Sequence, residues 1–442
     1  QREVIKHSEI IMKITVKTTP VNTKHILNVG VDVASRKLDI HSEVETSPGS
    51  RQVYQETIVN RSLSIKKALD NYRKLALDQG YLNLRIVCEP TGPYSRNLLA
   101  MALDQNCLTA YVSGEAVKNS KVIEFNSHNK TDTADAEVIY TLAERNKVLV
   151  HREYSADYGN LRTLNTHYED IEKNCVRARN QIHNKPQLFF PDCPLTKTTL
   201  YSNTGQAVYK CYQFNPWLIT AYGYSNFESR IKKKAKYARK ATLREIFDSA
   251  KASCLKSQED LSTSLSVCLS DHYEDFLRND TRKEQIQAQM CELLREIRLT
   301  DKNIPAAQKD FVSEFHIARL LAESGPLSDF NNLKQLYNYL GLNLSERQSG
   351  ISKGRAKLSK RGRPLGRKVL SLITFPLVRK EALFGATYHK AKNNGKPSKL
   401  LMCNYMKKWL KAFFGIYRSK SAFDKSRLFI DRGTYEKIAA SA

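Results

Sequence analysis

Ile26-Leu-Asn-Val-Gly-Val-Asp-Val33 decides how the N-terminal part of the chain is read. Its β-branched and apolar residues fall on both faces, as in a strand buried on both sides of a sheet, and Ser35-Arg36-Lys37 breaks it. Asp32 is out of place there, because a carboxylate near the end of a buried strand is costly unless it is paired or holds a metal. Alternation continues through Leu38, Ile40 and Ser42. Pro48-Gly49 turns the chain, Val53 to Val59 read as another strand, and Leu63 to Leu77 carry a helical period. Leu84-Arg-Ile-Val-Cys-Glu89 then repeats the anomaly of an apolar strand ending in an acid. Thr91-Gly92-Pro93 leads into a helix from Tyr94 to Leu103, and Thr109 to Val112 form a further short strand.

The helix expected next carries Lys130-Thr-Asp132-Thr-Ala-Asp135-Ala, whose carboxylates lie three residues apart on one helix face. Asp is common in a first helical turn for ordinary reasons, as a cap or as a partner of the helix dipole. The alternative is a cation held between two like charges, and an oxygen-only pair suits magnesium better than zinc. The order β-β-β-α-β-α-β-α gathers Asp32, Glu89, Asp132 and Asp135 into one cleft, which is the order of a ribonuclease-H-like domain.

The 442 residues are 41% hydrophobic, enough for two or three domains, and carry a formal net charge of +26. Such an excess of cations repels itself unless it meets a polyanion, so nucleic acid is the expected partner. No membrane role is expected: the nearest apolar run, Val369 to Val378, is short and contains Ser371 and Thr374. No apolar signal run precedes Thr18, and nine scattered cysteines include no C-x-x-C pair; both fit a reducing cytoplasm.

Leu161, Leu164, Tyr168, Ile171, Cys175, Ala178 and Ile182 fall at alternating three- and four-residue steps, the spacing of a coiled-coil seam or of a helix packed on its own domain. A second amphipathic pattern runs from Leu261 and Leu265 through Ile286, Met290, Leu293 and Ile297. Between them lies RIKKKAKYARK, in which Arg230, Lys232, Lys233, Lys234, Lys236, Arg239 and Lys240 are interrupted by Tyr237. A solvated helix face accounts for part of this run, and phosphate contact for the rest. Farther on, Glu346-Arg-Gln-Ser349-Gly350 opens a stretch with Arg347, Lys353, Arg355, Lys357, Lys360, Arg361, Arg363, Arg367 and Lys368 and, after Glu346, no acid. Its glycines make it a flexible loop hugging a nucleic-acid backbone, anchored by helical segments at Val369 to Leu383 and Leu400 to Tyr417.

Gly30-Val-Asp32-Val-Ala, Glu89-Pro-Thr-Gly and Lys130-Thr-Asp132-x-x-Asp135-Ala together resemble the three acidic blocks of the DEDD transposases of insertion-sequence family one-ten, relatives of Piv-type DNA invertases. The resemblance covers about residues 26 to 190 and, separately, 304 to 415. It implies an α/β plus α protein: an N-terminal arm (1–25), a ribonuclease-H-like, RuvC-like catalytic domain (26–155), a helical coiled coil with a basic linker (156–303), a mostly helical C-terminal transposase domain (304–420) and a tail (421–442). It implies that Asp32, Glu89, Asp132 and Asp135 are catalytic acids holding Mg²⁺, that Lys130 and the basic residues above contact nucleic acid, and that the serine of the R-Q-S-G block, Ser349, is the nucleophile. Ser345, Ser352 and Ser359 lie nearby, and position alone does not exclude them. The family pattern further implies target and donor DNA, a guiding bridge RNA, and a homo-oligomer in which dimers assemble to a tetramer. Ala306, Ala307 and Gln308 depart from the glycines that usually follow Ile-Pro in a helix-hairpin-helix, and side chains there obstruct a close backbone–phosphate approach. Other readings of the same residues are a water-using junction nuclease, an invertase without RNA, and a catalytically silent nucleic-acid-binding relative.

Overall fold

The computed structural model describes residues 26–47, 49–125, 132–196, 199–254, 259–345, 348–349, 352–353, 357–358 and 361–425. The arm and most of the tail lie outside them, as do Lys130, Arg347, Arg355 and Lys360. Asp132, Ser349, Lys353 and Lys357 are described in backbone only. The chain forms two compact units, one through Glu153 and one from Tyr154 onward. No helix among the described residues is long and apolar enough to cross a membrane.

The first unit is built on a six-stranded mixed sheet. Its strands are β1 (Ile26–Val33), β2 (Lys37–Ser47), β3 (Ser50–Val59), β4 (Asn83–Cys88), β5 (Leu108–Tyr111) and β6 (Leu149–Val150), in the spatial order β3-β2-β1-β4-β5-β6. β1, β4 and β5 run parallel, while β2, β3 and β6 are added antiparallel. The helices are α1 (Ser62–Asp78), α2 (Arg96–Asp104), α3 (Gly114–Phe125) and α4 (Asp132–Glu144). Strand alternation sorts the sheet residues between two cores. Leu27, Val29 and Val31 face Ile65, Leu69 and Tyr72 of α1 and Leu98 of α2, whereas Val87 of β4 joins the core under Val138, Ile139 and Leu142 of α4. The expected α/β arrangement of strands with covering helices is present. α3 and the short β6 are additions that the sequence pattern did not announce.

The second unit is helical. It contains α5 (Ala156–Asn184), α6 (Asn203–Tyr212), α7 (Pro216–Thr220), α8 (Gly223–Lys234), α9 (Lys240–Ser253), α10 (Glu259–Thr300), α11 (Glu314–Ser324), α12 (Leu333–Leu340), α13 (Pro364–Leu377), α14 (Gly385–Asn393) and α15 (Ser398–Ser419). α5 packs along α10, so the seam positions Leu161, Ile171, Cys175 and Ile182 are buried within the chain, in one core with Tyr273, Met290, Leu294 and Ile297. A buried polar network crosses this core. Arg319 of α11 donates to Asn165 of α5 at 3.0 Å and pairs with Glu169, which also pairs with Lys368 of α13. Glu323, fully buried, accepts from Asn165 at 3.0 Å and from Arg363 Nε at 3.0 Å. Each buried charge therefore has a partner, the condition for leaving water.

The segment after Ile304-Pro305 joins α10 to α11. In it Gln308 bridges Val312, and the Ala307 N–H donates to Glu314 at 3.2 Å. That amide is thereby taken by a carboxylate of its own chain, consistent with the loss of glycine at this position.

Candidate active site

The acids at the ends of the first and fourth strands are brought together by strand register. β1 and β4 pair in parallel with Val31 opposite Cys88, so Asp32 and Glu89 each stand one residue farther along neighbouring strands, at their C-terminal ends. Because Val31 and Cys88 face α1 and α2, alternation turns Asp32 and Glu89 to the opposite face, the one that α4 covers.

Contacts at two levels lay α4 along β1 and β4. Near the helix C-terminus, Asn28 donates to Glu144 at 2.5 Å, while Arg85 donates to Asn28 Oδ1 at 2.7 Å and to the Ala143 carbonyl at 2.9 Å. In the middle, Gly30 lies against the helix backbone so closely that an added Cβ would stand 2.5 Å from the Tyr140 nitrogen. Two strand residues advance roughly 7 Å, and four helical residues about 6 Å. The next step from Gly30 therefore reaches Asp32 on the strand and the turn containing Asp132 and Asp135 on the helix. Glycine at position 30 is what lets the helix come this near.

Two further elements surround the acids. α3 starts at Gly114, where a Cβ would overlap the Glu89 carboxylate, and Ser113 Oγ caps this helix by accepting from Ala116 N at 3.1 Å. Glu89 therefore rests against a helix N-terminus. Seven residues along α3, Lys121 forms an ion pair with Asp135. The Glu89 carboxyl is held above its ordinary range, first by burial and then by the charge of Asp32, with Lys121 pulling the other way. Burial, reinforced by Glu89 and Asp32, also pushes the Cys88 thiol up to about 12. Across the antiparallel pair, Asp39 stands directly opposite Asp32; it accepts from Thr57 at 2.5 Å and pairs with Lys37 at 3.1 Å. Like charges directly opposite one another destabilise a sheet, and Lys37 offsets part of that cost.

These residues fit a hard divalent cation. All the donors are carboxylate oxygens, and burial, reinforced by the charge of Asp32, disfavours ionisation of Glu89 in the metal-free chain. Among the described side chains no group of three metal-ligating residues is assembled, and the Asp132 side chain lies outside them. Sequence reasoning missed Lys121, Gly114 and Asp39. Only the charge of Lys121 was visible in the sequence, and neither spacing nor periodicity ties it to Asp135.

The basic stretch holding Ser349 belongs to the second unit, between α12 and α13. Its described parts form two ladders, not an open loop: β7 (Leu344–Ser345) pairs with β10 (Lys357–Leu358), and β8 (Gln348–Ser349) pairs with β9 (Ser352–Lys353). Ser349 stands opposite Ser352 in the outer ladder. Chain entry and exit meet at Gly341 and Gly362, with φ of 74° and 87°, where a Cβ on Gly362 would come 2.7 Å from the Gly341 backbone. Arg363 N closes this neck on the Tyr339 carbonyl at 3.1 Å. Of the expected phosphate-binding cations, Arg363 is engaged by Glu323 and Lys368 by Glu169, while Arg367 donates to the Arg361 carbonyl at 3.1 Å. Lys232 pairs with Glu228 at 2.6 Å, and Arg230 lies over the Tyr212 ring.

Residues 29–191 match the family model DEDD_Tnp_IS110, described as a transposase, and residues 312–389 match the model described as "Transposase IS116/IS110/IS902 family". Among solved structures, RuvC of Thermus thermophilus in complex with a Holliday junction substrate is similar over 28% of this chain and 99% of its own, at 8% identity and a TM-score of 0.22. A second Thermus thermophilus RuvC structure is similar over 28% of this chain and 98% of its own, at 10% identity and a TM-score of 0.21. No curated protein matches the chain. The two matched stretches together span more than half of the sequence, one holding the four acids and the other Ser349, and the chain belongs to the IS110 family of DEDD transposases, enzymes of DNA recombination.

Proposed function

We propose that this transposase exchanges DNA strands through a serine–phosphate intermediate at a RuvC-like acidic site, guided to its DNA by a bridge RNA. In this reading Asp32, Glu89, Asp132 and Asp135 hold one or two Mg²⁺ ions. The chemistry such an ion supplies is polarisation of the scissile phosphate and stabilisation of charge on the leaving oxygen. Lys121 steadies Asp135 in the metal-free chain, and Gly114 leaves room for the Glu89 carboxylate.

Ser349 Oγ attacks the phosphorus, one phosphorus–oxygen bond forms as another breaks, and the serine proton passes in net to the departing oxygen. The number of phosphodiester-type bonds is unchanged, so rejoining needs no external energy source. The acids and Ser349 belong to different compact units, and a homo-oligomer, a dimer pairing into a tetramer, would let the hairpin of one protomer serve the acids of another. The observation that most supports an acidic metal site is the crowding of Asp32 and Glu89 at adjacent strand ends under α4. A junction nuclease with water as nucleophile, and a Piv-type invertase without RNA, share that site and differ in their products or in their guide.

Guidance is tested with one protein and two RNAs. The protein alone should bind duplexes with steep salt dependence and little sequence preference, and exchanging only the RNA should redirect the recombined site. Site choice that survives ribonuclease treatment unchanged would instead favour the invertase reading.

A further inference from the structure

The helices α6 to α9 lie between the two stretches matched by the family models, so neither model accounts for them. Their most exposed feature is the junction of α8 and α9. The Ala238 N–H donates to the Ala235 carbonyl at 2.9 Å, which makes Lys236 and Tyr237 the two central residues of a hydrogen-bonded turn. Ala235 and Ala238 are buried in the helical core beside Ile231 and Leu243, while Tyr237 between them is 91% exposed. The turn is thus fastened at both ends, and its aromatic ring is held out in solvent. Burial cannot account for this tyrosine, since the fold covers almost none of its surface.

The electrostatic setting is one-signed. Residues 230–240 contain no acid, and Glu228, just before them, is taken by Lys232. Among the described residues, Lys233, Lys234, Lys236 and Arg239 have no carboxylate within ion-pairing distance. Lys236 Nζ sits 6.0 Å from the centroid of the Tyr237 ring. An outward aromatic face flanked by unneutralised cations matches the two needs of an unpaired nucleotide, a surface for its base and charge for its phosphates. Duplex DNA would use only the charge, because its bases are already stacked on one another.

We propose that this turn is a docking point for an unpaired nucleic-acid strand, with one base stacked on Tyr237 and the adjoining phosphates met by Lys233, Lys234, Lys236 and Arg239. The proposal rests on the DNA-handling role of the family and is independent of which residue is the nucleophile. RNA and DNA strands share the required chemistry.

The test uses the full chain and oligonucleotides carrying 2-aminopurine, offered as single-stranded RNA, as single-stranded DNA of the same sequence, and as duplex. Tyr237→Ala should weaken binding of one or both unpaired strands by roughly 5- to 100-fold and remove the quenching of the fluorescent base, while duplex binding changes less than about twofold. Tyr237→Phe should retain both affinity and quenching. Lys236→Ala should instead reduce the salt slope by about 0.7, the value for one phosphate on a single strand. The RNA and DNA arms identify which strand the turn serves. Unchanged binding by Tyr237→Ala would overturn the proposal, and so would an equal loss for duplex and unpaired strands. Such a failure would leave covalent adduct formation by Ser349 untouched, so the two readings are separable.

Discussion

Asparagine in place of Asp32 is expected to lower strand cleavage by more than about 100-fold, the upper range for losing a residue that merely supports a metal ligand. Nucleic-acid binding should be nearly unchanged, because the formal charge of +26 is spread over the whole chain and one carboxylate contributes little to it. The effect on the metal-free fold has a definite sign. The folded-state carboxyl of Glu89 is held above its ordinary range, so ionising it disfavours the fold: nothing is lost below the unfolded value, and the full penalty is present above the raised one. Burial is the larger cause and stays, but the share owed to Asp32 disappears in the variant. Stability in excess chelator near neutral pH should therefore hold or rise, as read by thermal melting. Wild-type cleavage with the metal chelated would remove the basis of this expectation.

Glu169→Ala should destabilise the helical unit by about 3–5 kcal/mol, the usual cost of removing one partner from a buried ion pair. Arg319 is 3% exposed, so without Glu169 its guanidinium stays out of water beside Asn165 Oδ1 and the rings of Tyr168 and Phe315. Lys368→Ala is the control. Its side chain is 47% exposed and reaches the same carboxylate from solvent, so its loss should cost less than about 1 kcal/mol. Urea unfolding of the two variants measures the difference. A small effect of Glu169→Ala would mean that Arg319 finds water or another anion. The network also has a positional consequence, since Lys368 and Arg363 belong to the start of α13, where the hairpin bearing Ser349 returns to the fold.

What the sequence revealed follows from which forces leave a periodic trace. β1 and β4 were legible because a strand buried on both faces needs continuous apolar residues, and an acid at its end stands out against them. The helix carrying Asp132 and Asp135 was legible through its spacing. α3 was not, because Gly-Glu-Ala-Val-Lys-Asn-Ser-Lys-Val-Ile-Glu-Phe has only a weak apolar stripe, and its role comes from two ends, Gly114 against Glu89 and Lys121 against Asp135. Strands of two residues rich in Lys and Ser carry no alternation, so the hairpin around Ser349 read as open loop. Asn165 and Glu169 escaped notice because each lies next to an apolar seam residue, Leu164 or Tyr168, and their partners on α11 and α13 are more than 140 residues away. Pairing over such separations leaves no local signature in the sequence.

In the proposed exchange a serine hydroxyl, and not water, takes up the DNA end. In this proposal Arg347 and the other cations around Ser349 would supply charge to offset the phosphate it attacks, and the neighbouring Ser345, Ser352 and Ser359 are competitors for the role. The most direct measurement is a denaturing gel of the protein incubated with labelled DNA, the proposed guide RNA and magnesium. The account predicts a covalent protein–DNA band with the wild-type chain and none with Ser349→Ala, whose DNA and RNA binding should remain. A Ser349→Ala protein that still forms the band, or a wild-type protein that releases only free DNA ends, would contradict it.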